Sequence, residues 1–175
     1  TQNQFIDEKG YQIGALFKLY PWEDMLREPF AQHIPASNTM FIEPLWKAIL
    51  SNKAILPLLW ERHKGHRNLL PAAFDGTPEA AEIALGAHVT KPYFSREGAD
   101  IELFDGSQRY SGIKEGYGSE GHIVQAFAPL ARSGSNHAVI GSWIVGDDAV
   151  AMSIREDANP ITRDLARFLP HAIVG

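Results

Sequence analysis

Lys91 stands in HVTKPYF (88–94), a segment otherwise apolar enough for a strand. An ammonium group there either snorkels to solvent along its butyl stem or meets an anion, and for the residue taken alone snorkelling is favoured. The SREG sequence that follows (95–98) adds backbone N–H groups and a glycine free to bend around a ligand. Lys53 comes directly after EPLWKAILSN, and Arg155 lies at the end of AVAMSIRE, just before Glu156 and Asp157. A surface arginine among acids is the plain account of Arg155. A planar fork for phosphate oxygens is the functional one.

Other candidate chemistry is weaker. GYGSEG (116–121) matches G-x-G-x-x-G literally, but that motif requires a helix after it, and here the strand-like HIVQAFA follows. A glycine-rich β connection is the better reading. His63 and His66 in HKGHRN lack a third ligand nearby and fit a solvated helix end. There is no G-x-S-x-G elbow and no paired-carboxylate motif. The absence of cysteine removes disulfides, thiolate nucleophiles and zinc–cysteine sites together, and is compatible with a reducing cytoplasm.

The elements that must position these residues change character along the chain. Helical patterns dominate first: from Pro21 through PWEDMLREPFAQHI, over 43–52, over ILPLLWERH (55–63) with Pro57 in the first turn, and over 77–86 with Thr77 as N-cap and Pro78 next. Strand patterns follow at 88–94, 100–104, 122–128, 137–145 and 149–156, with Gly146-Asp147-Asp148 as a tight turn. PITRDLARFLPHAIVG predicts a short helix and an apolar tail. Helices first and antiparallel strands afterwards predict an α+β fold.

At 175 residues the chain is long enough for one domain or two small lobes. Its 45% hydrophobic and 21% charged content are those of a soluble globular protein. The balance of 16 basic and 21 acidic residues, a net charge of −5, offers no general attraction for nucleic acid or an anionic membrane. No apolar run approaches the ~18 residues of a membrane span. The polar start TQNQFIDEKG is no signal peptide, and with no initiator Met it suggests a fragment.

FKLYPWEDM, FIEPLWKAILSNKAILPLLWE, KPYFSREGADIEL, IVQAFAPL, VIGSWIVGDDAVAMSIRED and RFLPHAIVG, in this order, resemble the C-terminal portion of the glutathionylspermidine synthase family of ATP-grasp ligases. The resemblance implies an ATP-grasp-like fold, with two lobes around a nucleotide cleft. It divides the chain into a segment 1–42 continuing from an upstream part, a helical and β lid lobe 43–130, and strands of the central lobe, 131–175. It implies that Lys53 and Lys91 contact ATP. Glu97 and Gly98 would lay their backbone against the phosphates, and Gln125, Ala126, Phe127 and Ala128 would form a hinge hydrogen-bonded to the adenine edge. Pro160, Ile161 and Thr162 would complete the pocket, and Arg155 would stabilise the transferred phosphoryl group or an acyl-phosphate.

The implied activity is an ATP-dependent carboxylate–amine ligase that forms an amide through an acyl-phosphate. Its substrates would be ATP, a glutathione-like peptide or other carboxylate, and an amine, in the cytoplasm. Magnesium is implied with its ligands upstream of this chain, so the chain alone would be inactive. A nucleotide-binding fragment or diverged paralogue without ligase activity is the alternative, and a purely structural domain would make the three cations unrelated. Two departures bear on the pocket. ITRDL stands where related sequences tend to read ITGNT, and Asp100 stands where the family often has Asn.

Overall fold

The computed structural model describes residues 4–172. The chain forms two compact units, Thr1–Asn52 and Lys53–Gly175. In the first, β1 (Ala15–Phe17) pairs in parallel with β2 (Met40–Ile42). Between them lie α1 (Trp22–Met25) and a 3-10 segment, Pro29–Ala36. The continuous helix predicted from Pro21 does not form. Glu28, preceding Pro29, is extended at φ −74°, ψ 146°, and Pro35 removes a second donor. The helix expected over 43–52 likewise divides into a 3-10 turn, Leu45–Lys47, and α2, Ala48–Ser51. Trp22, Met25 and Ile34 form the core of this unit, with Phe5 and Phe41 packed edge-on to one another beside them.

The second unit begins with α3 (Ile55–Arg62), which accommodates Pro57 in its first turn, where no intrahelical donor is lost. Next come β3 (Ala72–Phe74) and α4 (Pro78–Ala84), whose N-cap Thr77 accepts the Ala80 N–H at 3.2 Å, as predicted. A 5-stranded antiparallel sheet is then completed by β4 (His88–Pro92), β5 (Glu102–Phe104), β6 (Arg109–Ser111) and β7 (His122–Ala126), in the order β3-β7-β4-β5-β6. Its register sets Val89 opposite both Gln125 and Leu103, and Lys91 opposite Ile123. Because side chains alternate, Val89, Lys91, Leu103, Ile123 and Gln125 share one face. On the other, Ala73 and Val124 pack against Ala80 and Ile83 of α4.

A second sheet has the order β11-β10-β9-β8. It consists of β8 (Ala131–Ser133), β9 (Asn136–Val145), β10 (Asp148–Asp157) and β11 (Arg167–Leu169). Gly146, at φ 63°, makes the predicted tight turn between β9 and β10. The short helix predicted near the end is replaced by β11, which pairs Phe168 with Arg155 and Arg167 with Glu156. The predicted apolar tail extends into residues 173–175, outside the described ones. Ile161, in the connection after β10, buries itself against Val89 and Leu103 and so fastens the second sheet to the first. The architecture is α+β, and no described helix is long and apolar enough to cross a membrane.

Candidate functional site

Lys91 is held in the interior of the 5-stranded sheet. Its Nζ donates to Gln125 Oε1 at 2.8 Å, and burial holds the amine below the usual lysine pKa. Among the described residues no carboxylate pairs with it, so the half-buried ammonium has a neutral partner where an anion would suit it better. Lys53 donates its own N–H to the Tyr93 carbonyl (2.9 Å), and its Nζ to the Ser95 carbonyl (2.8 Å) and Ser95 Oγ (3.0 Å). It therefore sits at the root of the SREG loop.

That loop joins β4 to β5 in an antiparallel hairpin, as the sequence suggests. Glu97 (φ 48°) and Gly98 (φ 74°) are both left-handed. A Cβ on Gly98 would lie 2.6 Å from Ile161 Cγ2 and 2.8 Å from the Thr162 carbonyl oxygen, so the loop is seated against the 157–163 turn. Asp100, also left-handed at φ 52°, turns away from this contact. Its buried Oδ2 accepts the N–H groups of Tyr117 (2.9 Å) and Glu115 (3.0 Å), the Tyr117 bond most of all holding the carboxyl below its ordinary pKa. GYGSEG thus serves the fold by capping Asp100 and leading into β7.

Arg155 lies on the buried half of β10. Its Nη2 donates to Glu97 Oε2 at 3.0 Å and to the Arg163 carbonyl at 2.9 Å, and the guanidinium carbon lies 5.4 Å from the Phe168 ring centre. The Arg163 carbonyl is itself fixed. Asp157 accepts from Arg163 Nη2 (2.7 Å), Arg163 Nε (3.0 Å), Arg163 N–H (3.1 Å) and Asn159 N–H (2.9 Å). The Arg163 guanidinium foremost keeps this carboxyl well below the usual range. Asn159 Oδ1 then accepts the Ile161 N–H at 2.8 Å. Sequence reasoning treated Arg163 only as a departure and missed the clasp, although Asp157 and Asn159 two residues apart form a recognisable Asx-turn signal.

Beyond Gln125, β7 ends at Ala126 instead of running on to Ala128 as predicted. The Ala126 N–H donates to the Pro71 carbonyl (2.8 Å) and the Phe127 N–H to the Ala87 carbonyl (3.0 Å). Phe127 nevertheless lines a cavity of about 330 Å³ with Tyr110, Pro129, Leu130, Ala158 and Pro160. Asp105, Arg132 and His137 give it polar groups. A cavity lined by two aromatic rings, prolines and several polar side chains is of a size and mixed character that suits a small ring system. The sequence did not single out Tyr110, Pro129 or Leu130.

The structure therefore brings Glu97 to Arg155, Gly98 to Ile161 and Thr162, Lys91 to Gln125, and Phe127 to Pro160, with Lys53 holding the loop's first residue. Ala128 follows the last hinge donor that the protein engages. Among the described residues no group of three or more His, Asp or Glu side chains could hold a metal ion. The described residues thus supply no such cluster for Mg²⁺. His66 accepts the Asn68 N–H through Nδ1 in the turn beyond α3, as a helix-end histidine should.

A family model described as glutathionylspermidine synthase preATP-grasp matches residues 1–174. The chain is 39% identical over 177 residues to a putative acid–amine ligase of Haemophilus influenzae, covering 98% of this chain and 44% of that protein. It is 28% identical to the trypanothione synthetase of Crithidia fasciculata, over 90% of this chain and 27% of the relative. With the bifunctional glutathionylspermidine synthetase/amidase of Escherichia coli the identity is 25%, over 98% of this chain and 31% of the relative. The chain thus spans less than half the length of each of these relatives.

Proposed function

The chain belongs to the glutathionylspermidine synthase family, and from that membership and the geometry above we propose that it is the ATP-binding, C-terminal portion of an acid–amine ligase. The observation that carries the reading is the seating of Gly98 against Thr162, which draws the SREG loop, Arg155 and the 157–163 turn onto the sheet face that bears Lys91. In this reading Lys53, Lys91 and Arg155 neutralise phosphate oxygens, and the backbone of Glu97 and Gly98 lies along them. The base occupies the cavity between Phe127 and Pro160, and Gln125 orients Lys91. The cleft would lie between the 5-stranded sheet and the β8–β11 sheet.

ATP, when bound, supplies the phosphoryl group that turns a poorly electrophilic carboxylate into one an amine can attack, through an acyl-phosphate. The chain's own residues hold the charge and keep water away. The carboxylate would be a glutathione-like peptide and the amine a polyamine, following the names of the relatives. Magnesium ligands would come from elsewhere in the ligase, and the setting would be the cytoplasm.

ATP at a hundred times its Kd should stabilise the folded chain by about 2.7 kcal/mol. Lys91→Met should remove most of that response. A folded chain whose melting is unmoved by millimolar ATP or ADP would overturn the nucleotide reading. The second reading, a nucleotide-binding relative that does not ligate, rests on Arg163, whose guanidinium is bound to Asp157 in the turn where related sequences tend to read ITGNT. Amine- and peptide-dependent release of ADP separates the two.

A further inference from the structure

Arg155 divides its Nη2 between partners of different kinds. The Arg163 carbonyl, at 2.9 Å, belongs to a turn locked by Asp157. The Glu97 carboxylate, at 3.0 Å, belongs to the SREG loop, and its side chain is 47% exposed. Nε of the same guanidinium is buried without a protein acceptor among the described residues. Glu97 also holds a left-handed backbone that a non-glycine residue adopts only when its surroundings impose it. The nucleotide reading uses only the backbone of Glu97. Its side chain nevertheless sets an anion on the guanidinium of the site.

We propose that the Glu97 carboxylate is a built-in competitor for Arg155, tethering the SREG loop to β10 until a polyphosphate displaces it. A half-exposed carboxylate returns to water at little desolvation cost, so the contact is made to exchange. A polyphosphate brings more charge and several acceptor oxygens, enough to take the fork from a single carboxylate oxygen. The Arg163 carbonyl stays in place during the exchange and keeps Arg155 aimed. The displaced Glu97 must then swing clear of the phosphates, so loop movement and ligand entry become one event. The identity of the displacing anion rests on the nucleotide reading, but the tether does not.

The test uses the full chain with sodium tripolyphosphate and ATP as probes in titration calorimetry, with Glu97→Gln, Arg155→Gln and the double variant. Glutamine keeps an acceptor oxygen and loses the charge. Glu97→Gln is expected to bind tripolyphosphate roughly three- to tenfold tighter than wild type. In the Arg155→Gln background most of that gain should vanish. Without ligand, amide hydrogen exchange at Ala99 and Asp100, whose N–H groups donate to the Arg96 and Ile113 carbonyls at the end of the loop, should speed up in both single variants. Wild-type binding that Glu97→Gln leaves unchanged or weakens overturns the competitor, as does a gain that survives in full without Arg155. Unchanged exchange in both variants overturns the tether, whether or not any nucleotide binds. Failure of every variant to bind either probe, beside faster exchange, overturns both the competition and the nucleotide reading.

Discussion

The two sides of the candidate site are built on opposite principles. The 157–163 turn holds itself: one buried carboxylate, Asp157, gathers Nε and Nη2 of Arg163 and two backbone N–H groups within 3.1 Å. The SREG loop is held from outside, by Lys53 at Ser95 and by Arg155 at Glu97, with two of its residues left-handed. One side is a fixed wall whose bonds stay within a few residues of sequence. The other is a flap whose bonds reach 42 and 58 residues along the chain. A ligand that competes for those distant partners can release the flap without disturbing the wall.

The walls meet at Gly98, and the largest effect is expected there. An added methyl would press on Ile161, which is only 4% exposed and part of the core, and on the Thr162 carbonyl of the fixed turn. Neither can yield, so the flap must, together with the backbone at φ 74°. Gly98→Ala should cost about 2 to 3 kcal/mol, read as a fall in urea midpoint at constant m-value. Unchanged stability would mean that the seating is loose and the contrast between wall and flap is wrong.

Asp157→Asn attacks the wall itself and should cost about 2 kcal/mol at neutral pH through lost charge-assisted bonds. The pH dependence has a definite sign. Asp157 titrates lower when folded than when unfolded, so its contribution is complete above its unfolded pKa and fades as pH falls. The stability gap between wild type and Asp157→Asn should therefore narrow below about pH 4. Denaturation series at neutral and acid pH measure it. A gap that widens toward acid would assign the clasp's stability to some other group.

How far the sequence revealed this depends on the range of each interaction. Thr77-Pro78 and Pro57 declare helix starts locally, and β9 and β10, ten residues each, are long enough for their strand character to show. The three-residue strands β3, β6, β8 and β11 are too short to show a period, and exist only because a neighbour pairs with them. Lys91 was visible as a charge in an apolar run, but its Gln125 partner lies 34 residues away and follows from register alone. The helix expected from Pro21 failed because Pro29 and Pro35 outweigh a helical apolar pattern. Lys91, Arg155 and the SREG loop stood out by their chemistry, whereas Gln125–Ala128 and Pro160–Thr162 came from the family resemblance alone. That the hinge donors of Ala126 and Phe127 are already engaged, and that Arg163 braces Arg155, only the fold could reveal.

Asp100 gives the mildest test, because it borders the flap yet belongs to neither side. Asn at this position tolerates the left-handed φ of 52° and keeps an oxygen for the Tyr117 and Glu115 N–H groups. Asp100→Asn should therefore change stability by less than about 1 kcal/mol, the difference between a charged and a neutral acceptor. Asp100→Ala loses the acceptor altogether and should cost more, because two N–H groups are left unsatisfied. Since the carboxylate faces the 115–117 turn, Asp100→Asn should leave tripolyphosphate affinity within about twofold of wild type. A gain as large as that expected for Glu97→Gln would show that charge anywhere along the loop, and not the specific contact with Arg155, governs anion entry.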